Sequence, residues 1–160
     1  MHRGKLILVS VFIVLAAGVL FFYAYNMNHR KNSEVSDLIN YFKDVLMLKV
    51  EIDETNGTPF EFYNDADRYP SAGKVFADVK YNVNISKNRG EIILEYTQKI
   101  YTNEKRMPIH SAINCPSIWY IEKMNDKWEI VKFAEPDYQY GMTDDEYTEA
   151  REILIEKGYY

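Results

Sequence analysis

The chain has 160 residues and a mass of 18.9 kDa, enough for one ordinary domain and a targeting segment. An apolar fraction of 47% beside a charged fraction of 27% excludes a disordered or collagen-like chain. A single cysteine excludes both an intramolecular disulfide and a thiolate-rich zinc site.

From Leu6 to Tyr25 the chain carries no charge, and its polar groups are Ser10 and the two terminal tyrosines, Tyr23 and Tyr25. A helix of that length spans about 30 Å, the thickness of a bilayer's hydrocarbon core. Lipid leaves open backbone groups unsatisfied, so the segment is expected to be helical. Arg3, Lys5 and the α-amino group precede the span, and Arg30 with Lys31 follow it, a bias that places the N-terminus inside. A cleaved signal peptide is the competing reading. Its best small-residue site, Ala16-Ala17-Gly18, would leave a mature end beginning Val19-Leu20-Phe21-Phe22, so an uncleaved signal-anchor is favoured. No cysteine lies near the span, which excludes a bacterial lipoprotein. The expected layout is therefore residues 1–5 in the cytoplasm, a transmembrane helix at 6–25 in contact with membrane lipid, and a juxtamembrane tether at 26–33. Arg30 and Lys31 of the tether can pair with lipid phosphates. Everything beyond is expected outside the cytoplasm.

From Ser33 the apolar residues Val35, Leu38, Ile39, Phe42, Val45 and Leu46 form a 3.6-residue stripe, with Ser33 as the expected N-cap and Glu34 and Asp37 in the first turn. Leu46, Leu48, Val50 and Ile52 then alternate with polar positions, so either a strand begins near residue 46 or the helix runs on to about Lys49. Asn56-Gly57 and Thr58-Pro59 break the chain, and residues 59–73 read as a packed loop or short helical turn. Val75 to Ile85 and Glu91 to Thr102 alternate as two strands around Lys87-Asn88-Arg89-Gly90. A four-residue turn there pairs Ile85 with Ile92, Val83 with Leu94, Tyr81 with Tyr96 and Ala77 with Ile100, and leaves Val79 opposite Gln98.

A second hairpin, Ser117 to Met124 and Trp128 to Ala134, follows a loop at 103–116. A two-residue turn at Asn125-Asp126 sets Glu122 against Glu129, so a three-residue turn including Lys127 is preferred. It pairs Lys123 with Glu129, Ile121 with Val131 and Trp119 with Phe133. Past Glu135-Pro136 the chain is expected to leave the sheet. Thr143 and Glu146 form a capping box for a final helix, Asp144 to Lys157, closed by Gly158. Residues 26–160 hold 17 basic and 24 acidic side chains, a net of −7, of which −6 lies in residues 135–160. No basic stripe exists to neutralise phosphates, so nucleic acid is not an expected partner. The acidic tail keeps a helix soluble or meets a basic partner.

No residue is assigned a catalytic, cofactor-binding or metal-binding role. His110, Cys115 and His29 lack metal-ligand spacing. His110 and Cys115 share a loop in which a nucleophile pair is conceivable, but a small buried thiol and a surface histidine explain them. Asp78 and Glu95 fall on the solvated face, opposite Lys99 and Asn82 in the expected register, and need no acid–base role. Tyr81 and Tyr96 point into the expected core, as volume fillers. Tyr138 and Tyr140, with Phe62 and Tyr63, fall in irregular segments, where packing or the rim of a pocket or interface would use them.

Helix first, then a meander of long antiparallel strands ending in a tight hairpin, is similar to NTF2-like and cystatin-like domains. Ser117 to Pro136, with Trp128-Glu129-Ile130-Val131 in its last strand, resembles the closing hairpin of small bacterial NTF2-like exported domains. The resemblance covers residues 34–136. It implies a curved sheet around a helix with a cone-shaped hollow, which carries an acid–base pair in the superfamily's enzymes; no residue here matches that motif. The expected class is α+β: a transmembrane helix, a helix with a curved antiparallel sheet of four to five strands, and an acidic C-terminal helical segment at 137–160 that covers an edge or plugs the hollow. The expected function is that of a non-enzymatic, single-pass bacterial membrane protein binding a protein or peptide at the envelope, without a cofactor. The alternatives are a ligand-binding or enzymatic use of the hollow and an immunity protein against an extracytoplasmic toxin.

Overall fold

The computed structural model describes Gly18, Phe22 and residues 31–103 and 107–159. Apart from Gly18 and Phe22, the span expected at 6–25 lies outside the described residues, as do residues 1–5 and the tether's His29 and Arg30. Among the described residues no helix is long and apolar enough to cross a membrane. The chain divides into two units, Met1–Glu34 and Val35–Tyr160, and the elements that follow belong to the second.

The second unit is α+β, as its alternating periods imply. It runs α1 (Ser36–Leu46), α2 (Ile52–Thr55), a 3-10 turn (Glu61–Tyr63), β1 (Lys74–Ser86), β2 (Arg89–Tyr101), β3 (His110–Met124), β4 (Lys127–Glu135), β5 (Tyr138–Tyr140) and α3 (Asp144–Glu156). The strands form one antiparallel meander in the order β1-β2-β3-β4-β5.

The apolar stripe of α1 buries Ile39, Phe42, Val45 and Leu46. Ser33 is not its N-cap: residues 31–34 are themselves helical, and Val35 occupies the cap position without a side-chain bond. No strand follows. Leu48 enters the left-handed region at φ 56°, its N–H bonding the Val45 carbonyl at 2.9 Å, while Lys49 N–H bonds the Asp44 carbonyl at 3.0 Å. These two bonds close the helix as a Schellman motif with leucine where glycine is usual. The alternation of Leu46, Leu48, Val50 and Ile52 thus spans a reversal and the start of α2.

Both hairpins turn more tightly than the sequence suggests. Ser86 faces Arg89 across Lys87-Asn88, so Val83 pairs with Ile92, Tyr81 with Leu94 and Val79 with Tyr96. This register differs from the expected one by two positions, which leaves every side chain on its face. In the second hairpin Asn125 and Asp126 both have positive φ, at 49° and 62°, as a two-residue turn of the primed kind requires. Glu122 therefore does face Glu129, but Arg89 lies across from Glu122 on β2 and its Nε is 3.0 Å from the carboxylate. A bulge at Val131 then restores the Trp119–Phe133 pair. A second bulge sets Ile113 and Asn114 against Thr97 and carries β3 back to His110, through residues expected to be loop. At Pro136-Asp137 the chain turns rather than leaving, and β5 pairs with β4.

The inner face of the sheet meets α1. Val83, Ile92, Leu94, Tyr96, Trp119, Ile121 and Phe133 share one buried cluster with Phe42, whose ring centroid lies 4.7 Å from Trp119 and 4.8 Å from Tyr63, both edge-on. Gln98, 2% exposed, donates from Nε2 to the Leu46 carbonyl at 2.7 Å. A polar residue in the strand's apolar phase thereby satisfies the last carbonyl of α1. On the outer face Ile93, Ile118 and Ala134 meet Ala150 and Leu154 of α3. The acidic segment thus covers the sheet's outer face, not an edge or a hollow. Its capping box at Thr143 and Glu146 is complete. Gly158, at φ +79°, and Tyr159 bond the Ile155 and Leu154 carbonyls and close α3 as a second Schellman motif.

Candidate functional site

Phe62 of the 3-10 turn, Tyr138 and Tyr140 of β5 and Phe133 of β4 build an aromatic ledge at one edge of the sheet. Gly57, at φ +73°, turns the chain, and its N–H is accepted by Glu61 Oε2 at 2.8 Å. Thr58 Oγ1 donates to the Thr55 carbonyl at 2.6 Å and accepts from Phe60 N–H at 3.2 Å. In the 3-10 turn that follows, successive side chains diverge by about 120°. Tyr63 is therefore buried while Phe62 points outward at 40% exposed. The Phe62 ring stacks on Tyr138, also 40% exposed, with centroids 4.0 Å apart and planes 8° from parallel. Behind them Phe133 stacks on Tyr140 at 5.7 Å. Beside the pair opens a cleft of about 330 Å³ lined by Thr58, Glu61, Phe62, Arg68, Tyr138 and Tyr140.

Polar groups lie beneath the ledge. Trp119 Nε1–H donates to Tyr63 OH at 3.3 Å, and Ser117 Oγ donates to the Ala134 carbonyl at 3.3 Å. Tyr63 OH and Ser117 Oγ lie 3.3 Å apart, so hydrogen-bonding groups run in a line through Trp119, Tyr63, Ser117 and the Ala134 carbonyl. Next to it Glu135, 6% exposed, accepts from Tyr96 OH at 3.4 Å. Burial raises the Glu135 carboxyl from the ordinary value near 4.5 to about 7, against the pull of the Tyr63 and Tyr96 hydroxyls. Burial, then the Glu135 charge, pushes the Tyr63 and Tyr96 phenols and the Cys115 thiol upward. A thiol held protonated is a poor nucleophile.

The residues weighed from the sequence scatter. His110 and Cys115 both lie on β3 but have different neighbours. His110 Nδ1 is 3.0 Å from Tyr69 OH and its Nε2 is 4.0 Å from Asp65, which also pairs with Arg68 at 3.1 Å. Cys115 packs on the inner core, opposite Tyr96. Asp78 stands across from Thr97 rather than Lys99, and Glu95 across from Lys80 rather than Asn82, so they form no pair. Tyr81, Tyr96 and Tyr63 serve the core. Tyr138 and Tyr140 belong to a strand rather than an irregular segment. No group of three or more His, Cys, Asp or Glu among the described residues is placed to hold a metal ion.

Sequence reasoning missed Glu135, although it stands two residues after the inward Phe133, in the same strand phase. The outward turn of Phe62 had no signal, because neither period describes a single 3-10 turn.

No protein-family model and no curated protein matches the chain. Among solved structures it is similar to that of the Kfla4162 protein from Kribbella flavida, with a TM-score of 0.42 and 13% identity over 70% of this chain and 94% of that one.

Proposed function

We propose that the chain is a single-pass membrane protein, anchored through residues 6–25, whose NTF2-like α+β domain stands outside the cytoplasm and binds a protein or peptide at the envelope. The observation that carries the reading is the Phe62–Tyr138 ledge: two stacked rings, each 40% exposed, beside a cleft rimmed by Glu61 and Arg68. Exposed aromatics beside polar groups are the composition of a protein-binding patch. The occupant that fits is a peptide segment with an apolar side chain for the ledge and charged neighbours for Glu61 and Arg68. A membrane anchor concentrates such a module in two dimensions, where modest affinity suffices.

Capture from the envelope extract with the detergent-solubilised full-length chain tests the reading. A partner retained by the wild type and lost with Phe62→Ala or Tyr138→Ala supports it. Retention by both variants overturns it. Protease added to intact cells tests the topology, and protection of residues 35–159 would refute an extracytoplasmic domain.

One observation favours a second reading, in which the interior serves a ligand or a reaction: Glu135 is a buried acid flanked by phenols. Against it, Phe42, Phe60, Tyr63, Tyr96, Trp119 and Phe133 fill the space between α1 and the sheet. Thermal stabilisation by a small molecule, with no protein captured, would favour this second reading.

A further inference from the structure

Glu135 ends β4, and the docking reading leaves it without a task. Its Oε2 receives one long hydrogen bond, 3.4 Å from Tyr96 OH, and its Oε1, also buried, has no hydrogen-bond partner. An ionised carboxylate offers about four acceptor sites. One long bond does not replace the water such an ion gives up. No ion pair among the described residues includes Glu135. The titratable groups facing it are Tyr63 from the 3-10 turn, Tyr96 from β2 and Cys115 from β3, none of which brings a positive charge. Tyr63 has one hydroxyl proton, for which Ser117 and the Glu135 carboxyl compete. Ionising Glu135 therefore forces a choice: draw the Tyr63 proton away from Ser117, or move toward water.

Movement at Glu135 has a defined route to the surface. Its backbone is in register with Tyr138, the outer ring of the ledge. The single Tyr147 hydroxyl proton of α3 is shared between the Pro136 carbonyl at 2.7 Å and the Glu135 carbonyl at 3.1 Å, so the turn between β4 and β5 is tied to α3 at the same point.

We propose that Glu135 is a proton-operated latch beneath the Phe62–Tyr138 ledge: neutral, it stays in the core and keeps the ledge assembled; ionised, it loosens the turn and splays the stacked rings. Its biological consequence rests on the docking reading, with docking favoured below neutral pH and weakened above it. The latch itself does not depend on any partner. Burial raises the carboxyl to about 7, which puts the change between about pH 6 and pH 8.

Two measurements on the full-length chain in detergent micelles test the latch. The first follows the Glu135 side-chain carboxyl by carbon NMR as pH varies. A midpoint between about 6 and 8 is expected; one below about 5 overturns the proposal. The second follows hydrogen exchange of the amides of residues 135–140, corrected for the intrinsic pH dependence of the chemistry. From pH 6 to pH 8 the wild type should lose protection by about fivefold or more, and Glu135→Gln should lose none. Equal loss in both, or no loss in the wild type, overturns the proposal. Should the glutamine variant fail to fold, judged by near-ultraviolet circular dichroism, the carboxyl midpoint still decides. Failure of the docking reading is separate: Phe62→Ala and Tyr138→Ala would then hold the partner at pH 6 whatever the exchange data show.

Discussion

On its inner face the sheet meets α1 through rings, with Phe42 seated among Tyr63, Tyr96 and Trp119. On its outer face it meets α3 through Ile93, Ile118, Ala134, Ala150 and Leu154, all of them aliphatic. Rings fill a wide gap, but tyrosine and tryptophan bring polar tips that need partners once buried. The inner face therefore also holds Ser117, Gln98 and Glu135, each tied to a ring hydroxyl or a backbone carbonyl. The centre of the outer face needs nothing similar. Its tyrosines, Tyr120, Tyr147 and Tyr159, are only partly buried around it, and the Tyr147 hydroxyl reaches the Glu135 and Pro136 carbonyls. Lys132 and Glu146 pair at 2.5 Å at the rim. The two faces of one sheet thus differ at their centres: the inner buries a carboxyl, whereas the outer buries aliphatic side chains alone.

The largest expected effect is loss of the inner hub. Phe42→Ala should destabilise the domain by about 3–5 kcal/mol, read as a shift in the denaturant midpoint. Glu135 comes next. Its folded value lies above its unfolded one, so the fold favours the neutral acid. Its contribution is therefore best at low pH and is lost as pH climbs from about 4.5 to about 7, then stays flat. The wild type should lose on the order of 3 kcal/mol over that interval relative to Glu135→Gln. A constant difference between the two would remove the contrast between the faces.

Smaller still is Gln98→Leu, which keeps the volume but strands the Leu46 carbonyl inside the core, at a cost of about 1–3 kcal/mol. A neutral outcome would mean that α1 ends as well without the strand's help. Last comes the outer face. Gly158→Ala puts a side chain at φ +79° and should cost about 1–2 kcal/mol, equally at pH 5 and pH 8. A pH-dependent cost would mean that the outer face also senses protons.

The sequence carried the faces of the sheet more faithfully than its pairings. Alternation marks which side chains point inward, so Ile92, Leu94, Tyr96, Gln98 and Ile100 fall together as expected. It is blind to a shift of two positions, so turn length alone decides the first register, and Lys87-Asn88-Arg89-Gly90 reads as a four-residue turn where Lys87-Asn88 suffices. In the second hairpin the like-charged Glu122 and Glu129 argued against the tight turn. The answer lay with Arg89, distant in sequence and adjacent only once β2 pairs with β3. β5 escaped notice because three residues after a proline carry no period. Of the candidate site, Tyr138, Tyr140, Phe62 and Tyr63 were legible as a group, since irregular segments rich in aromatics invite that reading. Which of them faces water, and what lies below, depends on one 3-10 turn and on a glutamate beside a proline, where local text suggests an exposed bend.

The order of elements along the chain has a consequence for biogenesis. All five strands precede α3 in synthesis, so Ile93, Ile118 and Ala134 stand bare until residues 144–159 have emerged. During that interval the nascent sheet offers a greasy strip to any passing surface, the condition that chaperones recognise. A transcript stopped near Met142 would yield a molecule with its inner core complete and its back uncovered, fit for degradation rather than service.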